Sequence, residues 1–165
     1  MEENGENAEV QQEGDSTVSE ENQVDEKSVQ DKTADSEYII SDSNSRYLSS
    51  DAEILRSMLD LKGASCVICS NGKQVVEAFE ESEPDQYDAV LMDVQMPVMN
   101  GYEASRRIRT SRRPFGKTIP IIALTANAFA EDIVRSSEAG MDAHITKPID
   151  ENKLKECMLR LLASR

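Results

Sequence analysis

Three polar residues stand where apolar runs of the sequence end: Asp93, Thr125 and Lys147. Pro97 and Gly101 break the chain soon after the first of them. In open α/β sheets, ligand sites form at the carboxyl ends of the strands. A carboxylate, a hydroxyl and an ammonium group on neighbouring strand ends are suited to phosphoryl transfer, which depends on positioning and charge stabilisation.

The elements that must position these residues are five short strands and five helices in alternation. Strands are predicted over residues 38–41, 65–69, 88–92, 121–124 and 143–146, and the third is continuously apolar, as a strand covered on both faces would be. Helices are predicted from Ser49 or Ser50 to residue 62, around 75–79, and over 101–110, 127–139 and 150–162. This alternation predicts a parallel sheet with right-handed crossovers.

Four motifs in this order carry a family resemblance, and they lie at residues 91–97, 100–101, 119–128 and 140–149. With them, the stretch from about residue 37 to 162 resembles the receiver domain of two-component response regulators, in particular receivers attached to hybrid histidine kinases. The resemblance implies an α/β fold of the flavodoxin-like kind. It is a doubly wound five-stranded parallel sheet in the order 2-1-3-4-5 with five helices, here over residues 38–165.

The resemblance also implies a role for each candidate residue. Asp93 is expected to be the phosphoacceptor that attacks a phosphohistidine, with Lys147 neutralising phosphoryl oxygens and Thr125 bonding the phosphoryl group. Mg²⁺ is the expected cofactor, bound by Asp93 and by the backbone carbonyl of Gln95. The peptide bond between Lys147 and Pro148 is expected to be cis. His144 stands at the family's switch position, although a half-buried surface imidazole is an equally weighted interpretation.

The acidic pair that the family places after the first strand is incomplete in this chain. If residues 39–40 are the strand, Asp42 takes one acidic position as a metal ligand and Ser43 takes the other. If the first helix is counted backward from Gly63, the positions fall on Arg46 and Tyr47 and no acid remains. Either alternative predicts a weakened Mg²⁺ site, because the cation prefers several oxygen ligands.

Two functions therefore stay open. The first is a phosphoacceptor switch in a two-component phosphorelay, serving a histidine kinase or a histidine phosphotransfer domain. The alternative is a pseudo-receiver that binds proteins without phosphorylation, which the incomplete acidic pair favours. A conventional enzyme is not expected, since no further catalytic His or Cys site accompanies Asp93.

The composition and charge of the chain limit the kinds of partner it is expected to bind. Residues 1–37 hold thirteen of the 32 acids against Lys27 and Lys32, and the chain carries a net charge of −14. This segment has few large apolar residues, so a disordered acidic tail is predicted, either a solvating linker or a lure for a basic partner. The sequence predicts a cytoplasmic protein, monomeric or transiently dimeric, that binds neither membrane nor nucleic acid directly.

Two further groups of residues receive structural interpretations. Cys66 and Cys69 have CxxC spacing but fall in a predicted strand, where residues three apart point to opposite faces, so buried thiols are expected. The arginines at 106, 107, 109, 112 and 113 are interpreted as a solvated helix face and loop, with contact to an acidic patch such as the chain's own tail as the alternative. Residues 112–117 are predicted to be an exposed basic loop.

Overall fold

A computed structural model describes residues 36–42 and 51–164 of the chain. Five strands form one sheet, and all of its neighbouring pairs are parallel in the order β2-β1-β3-β4-β5. This confirms the predicted topology. The strands are β1 (Glu37–Ser41), β2 (Ser65–Cys69), β3 (Ala89–Asp93), β4 (Ile121–Thr125) and β5 (Ala143–Thr146).

Five helices lie in the connections and after the last strand. They are α1 (Asp51–Asp60), α2 (Gly72–Glu81), α3 (Gly101–Thr110), α4 (Ala130–Glu138) and α5 (Glu151–Ala163). Short polar residues begin three of them, because a side-chain oxygen can satisfy an amide of the first turn. Asn71, Asn100 and Asp150 accept hydrogen bonds in this way.

Each strand sends alternate residues to two hydrophobic layers, which are the two faces of the sheet. One layer packs β-strand residues such as Val90 and Ile121 against α2 and α3, and the other packs Leu91 and Ile122 against α1 and α5. All five residues of β3 and of β4 are buried. The predicted covering of the central strands on both faces is therefore confirmed.

Helix α4 is the weakly attached element, as its thin apolar face predicts. Its only buried residue is Ser136, whereas Phe129, Ile133 and Val134 are exposed. The helix begins at Ala130 rather than at the predicted Asn127, because residues 126–129 form a loop held by side-chain hydrogen bonds to β4. Few buried contacts make a helix easier to displace.

The basic segment after α3 is exposed at Arg112 and Lys117, as predicted, but it is not an irregular loop throughout. Residues Pro114–Lys117 form a 3₁₀-helix, and the Phe115 ring packs 4.9 Å from that of Phe79. The Arg109 side chain is only 17% exposed, and it binds three backbone carbonyls and the Asp142 carboxylate. Arg109 therefore holds the fold together and is not a solvated charge.

The other predictions about the periphery have mixed outcomes. Glu37, assigned from the sequence to the acidic segment, is the first residue of β1, while residues 1–35 lie outside the described part of the chain. The candidate caps Ser49 and Ser50 also lie outside it. Cys66 and Cys69 belong to opposite hydrophobic layers and both are free thiols. Cys69 is buried as predicted, whereas Cys66 is only half-buried.

Candidate functional site

Asp93 ends β3 at the carboxyl edge of the sheet, with its side chain only 7% exposed. Two hydrogen bonds fix it. Its amide donates to the Ser41 hydroxyl at 2.8 Å, and its Oδ1 accepts from the amide of Gln95 at 3.1 Å. The contact of Ser41 with Asp93 was not predicted from the sequence. The sequence feature that could have indicated it is a small polar residue at the end of the apolar strand β1.

Lys147 follows β5 and reaches the same edge. Its amide donates to the Thr125 carbonyl at 2.8 Å, and the bond between Lys147 and Pro148 is cis, as predicted. The ammonium Nζ lies 3.2 Å from Asp93 Oδ2. The chain thus brings the predicted acid and the predicted lysine into direct contact across 54 residues of sequence.

Burial and charge act in opposite directions on this pair. Burial raises the pKa of Asp93, and the Lys147 charge and the Gln95 amide offset this only in part. Burial alone would lower the pKa of Lys147, but Asp93 and Asp51 more than compensate, so that pKa is raised. The ammonium of Lys147 is therefore kept charged. The ionised form of the Asp93 carboxylate is less favourable here than it is in water.

Thr125 ends β4, next to Asp93 in the sheet, and is 9% exposed. Its hydroxyl donates to the carbonyl of Asn127 at 2.8 Å and accepts from the Asn127 amide at 3.2 Å. Thr125 is thus at the predicted edge, and its hydroxyl is bonded to the loop that leads into α4.

Asp42 follows β1 directly, as one of the two alternatives for the acidic positions expects. It is 1% exposed, its Oδ2 accepts from the Ala52 amide at 3.1 Å, and its charge contributes to the raised pKa of Asp93. The other candidate positions, Ser43, Arg46 and Tyr47, lie outside the described residues. A buried acid therefore stands close to Asp93.

A further acid, Asp51, was missed from the sequence. It is the first residue of α1, and its Oδ2 lies 3.1 Å from Lys147 Nζ. It lies well outside the residues next to β1, where the family places its acidic pair. An acid in the first turn of a helix that starts at the carboxyl edge of the sheet was the signal that could have revealed it.

The oxygen donors at this edge fit Mg²⁺. The carboxylates of Asp93 and Asp42 and the backbone carbonyl of Gln95, in the turn that Asp93 holds, are hard ligands. Mg²⁺ is usually held by one or two carboxylates with waters and substrate phosphate. Within residues 36–42 and 51–164, no three His, Cys, Asp or Glu side chains are grouped to enclose a metal. The site therefore suits a partly hydrated cation.

His144 lies on β5 with its side chain exposed. It borders an open groove of about 460 Å³ whose other polar residues include Lys153 and Arg160 of α5. The imidazole is more exposed than the half-buried interpretation expected. The described part of the chain contains no helix long and apolar enough to cross a membrane.

The comparisons with known proteins identify the family of this chain. The model of the response regulator receiver domain family matches residues 49–159, which is more than half of the chain. The chain belongs to this family. It is a receiver domain of two-component signalling, as the motifs predicted.

Several relatives are histidine kinases. The protein named "Probable histidine kinase 2" from Oryza sativa subsp. indica is 40% identical over 116 residues, which are 64% of this chain and 11% of that protein. The hybrid signal transduction histidine kinase L of Dictyostelium discoideum is 39% identical over 105 residues, 63% of this chain and 6% of that protein. The chain thus spans a small part of the curated relatives it matches.

Solved structures show the same fold. The receiver domain of a sensor histidine kinase from Pseudomonas aeruginosa PAO1 is 32% identical, with a TM-score of 0.68 over 79% of this chain and 99% of that one. That structure has a magnesium ion coordinated in its active-site cleft. A receiver domain of a histidine kinase from Syntrophus aciditrophicus is also 32% identical, with a TM-score of 0.66 over 78% and 91% of the two chains.

Proposed function

We propose that Asp93 accepts a phosphoryl group from a phosphohistidine and that the acyl phosphate switches the conformation of the domain. The contact of 3.2 Å between Lys147 Nζ and the nearly buried Asp93 carboxylate carries this proposal. A lysine at a buried acid can neutralise phosphoryl oxygens as a point charge.

The transfer is a displacement at phosphorus. A carboxylate oxygen of Asp93 forms the new P–O bond as the P–N bond of the phosphohistidine breaks, and the leaving imidazole takes up a proton. Lys147 is placed to stay with the phosphoryl oxygens after transfer. Mg²⁺, held by Asp93, Asp42 and the carbonyl of Gln95, would offset the repulsion between the carboxylates and the phosphoryl group.

The conformational response would begin at Thr125. For its hydroxyl to donate to a phosphoryl oxygen, its hydrogen bond to the Asn127 carbonyl must break. This frees the loop before α4, and α4 has little buried surface to hold it in place. Phosphorylation would then shift the population between two positions of the loop and helix. His144, on the neighbouring strand β5, would then respond to this shift as the switch residue.

The donor is inferred to be a histidine kinase or a histidine phosphotransfer domain. The kinase names of several relatives support this class of partner. The domain would act as a self-phosphorylating and self-dephosphorylating signalling element and not as a conventional enzyme. The pseudo-receiver alternative receives no support from the geometry, because Asp42 is retained at the end of β1 beside Asp93.

Incubation with acetyl phosphate, with and without Mg²⁺, tests the proposal by intact mass. The expected result is a Mg²⁺-dependent gain of one phosphoryl group in the wild type. The control variant Asp60→Asn, which loses an exposed acid away from the site, should show the same gain. Asp93→Asn should gain none. Lys147→Ala should gain the phosphoryl group but should not show the proposed shift of α4 and the loop before it. An unmodified wild type at high Mg²⁺ would refute the proposal and return attention to phosphorylation-independent binding.

A further inference from the structure

The Lys147 ammonium lies between two carboxylates. Its Nζ is 3.2 Å from Asp93 Oδ2 and 3.1 Å from Asp51 Oδ2. The two distances are nearly equal, so the positive charge is divided between the acids. The Lys147 side chain is 20% exposed and that of Asp51 32%, so water screens the second pair more than the first.

Asp51 is held at the site by the start of α1. The amide of the next residue, Ala52, donates to Asp42 Oδ2 at 3.1 Å, which fixes the first turn of the helix against the end of β1. Ala52 is itself fully buried in the layer that packs α1 on the sheet. The position of the Asp51 carboxylate is therefore set by the fold, although eight residues separate it from Asp42 in the sequence.

We infer that Asp51 is a positioning residue that draws Lys147 partly away from Asp93. The Asp93 oxygens are then left available to a cation and to phosphorus. Without Asp51, the ammonium would have Asp93 as its one carboxylate partner among the contacts described, and it would neutralise the group that must bind and react. This inference rests on the proposed function, and it deepens that function by assigning a residue outside the predicted acidic pair.

The charges at the site support this role. Asp42, Asp51 and Asp93 with Lys147 give a net charge of −2, which one Mg²⁺ balances. Loss of Asp51 would leave −1 and would also strengthen the competition of Lys147 with the cation. Both effects weaken Mg²⁺ binding. The first removes the attraction of one negative charge for the cation, and the second brings the Lys147 charge closer to the oxygens of Asp93.

Calorimetric titration of the full chain with Mg²⁺, without a phosphodonor, tests the inference. Asp51→Asn should raise the Mg²⁺ Kd about tenfold, as loss of a group that positions a metal site does. Asp60→Asn removes the same charge from the far end of the same helix and should stay within about twofold. Asp51→Glu keeps the charge and should stay within about threefold.

A double-mutant cycle with Lys147→Met separates the two effects. In that background, Asp51→Asn should raise the Kd by no more than about threefold, because only the field of the lost charge remains. If Asp51→Asn still raised the Mg²⁺ Kd about tenfold in the Lys147→Met background, Asp51 would not act through Lys147 and the inference would be refuted. Circular dichroism of each variant checks that α1 is intact, and Asp51→Ser removes the same carboxylate if Asp51→Asn fails to fold.

The outcomes separate this inference from the proposed function. If Asp42→Asn loses Mg²⁺ binding while Asp51→Asn behaves as Asp60→Asn does, the role of Asp51 is refuted and the phosphoacceptor site stands. If the wild type binds no Mg²⁺ and takes up no phosphate, both proposals fail.

Discussion

Among the arginines of residues 51–164, Arg109 is predicted to be the most costly to remove. Its guanidinium donates to the carbonyls of Gly140, Gly116 and Ile119 at 2.7–2.8 Å and pairs with Asp142 at 2.7 Å. It thereby joins α3, the 3₁₀-helix, and the segments that enter β4 and β5. The planar fork of arginine suits several acceptors at once, which a lysine ammonium does not match.

The expected loss in the free energy of unfolding follows from these contacts. Arg109→Met keeps the aliphatic stem and leaves three carbonyls without this donor, while Asp142 retains its bond from the Ile121 amide at 2.7 Å. At roughly 1 kcal/mol for each carbonyl, because the site is partly reached by water, the free energy of unfolding should fall by about 3 kcal/mol. Arg109→Lys should lose about 2 kcal/mol, because one ion pair can be retained.

Arg107 provides the matched control on the same helix. Its side chain is 55% exposed and pairs with Glu103 one turn earlier. Arg107→Met should cost below about 0.5 kcal/mol, as exposed pairs of this spacing do. Urea denaturation followed by far-UV circular dichroism, with unchanged m-values, measures all three variants. Equal losses for Arg109→Met and Arg107→Met would refute the interpretation of Arg109 as a structural clamp.

Three further predictions concern the site and the core. Thr125→Val should retain phosphate uptake but abolish the phosphorylation-dependent amide shifts of residues 126–129 in NMR spectra, whereas a wild-type response would exclude the hydroxyl as the trigger. Because burial raises the pKa of Asp93, ionising this group as the pH rises through that pKa costs folding free energy. Asp93→Asn should therefore stabilise the domain at neutral pH by about 1 kcal/mol in urea titrations, while a loss of stability would contradict the raised pKa. Burial raises the pKa of Cys69 to about 11, so a thiol reagent at neutral pH should label Cys157 well before Cys69, and equal labelling rates would contradict the buried placement.

The strand ends were predictable because they depend on local pattern. Continuously apolar runs that end at Asp93 and Thr125 predict buried parallel strands, and parallel strands bring their carboxyl ends to one edge. The position of Lys147 followed from the same rule. Pattern therefore located the three central residues of the site, and the family resemblance supplied their roles.

Contacts between distant segments were not predictable in this way. Asp51 meets Lys147 across 96 residues of sequence, and Arg109 meets Asp142 across 33, and neither pair leaves a periodic signal. The start of α4 was misplaced for a related reason. The hydroxyl of Thr125 holds the Asn127 backbone out of the helix, and such a bond competes with helix formation without changing the apolar pattern.

The central claim is that Asp93, among the three acids at this edge, takes the phosphoryl group. Borohydride reduces an acyl phosphate to an alcohol, so treatment after incubation with acetyl phosphate and Mg²⁺ would convert the modified aspartate to homoserine. Peptide sequencing by mass spectrometry then locates that residue. The account predicts homoserine at position 93 alone. Homoserine at Asp42 or Asp51 in place of Asp93, or at no position in a protein that had gained phosphate, would contradict it.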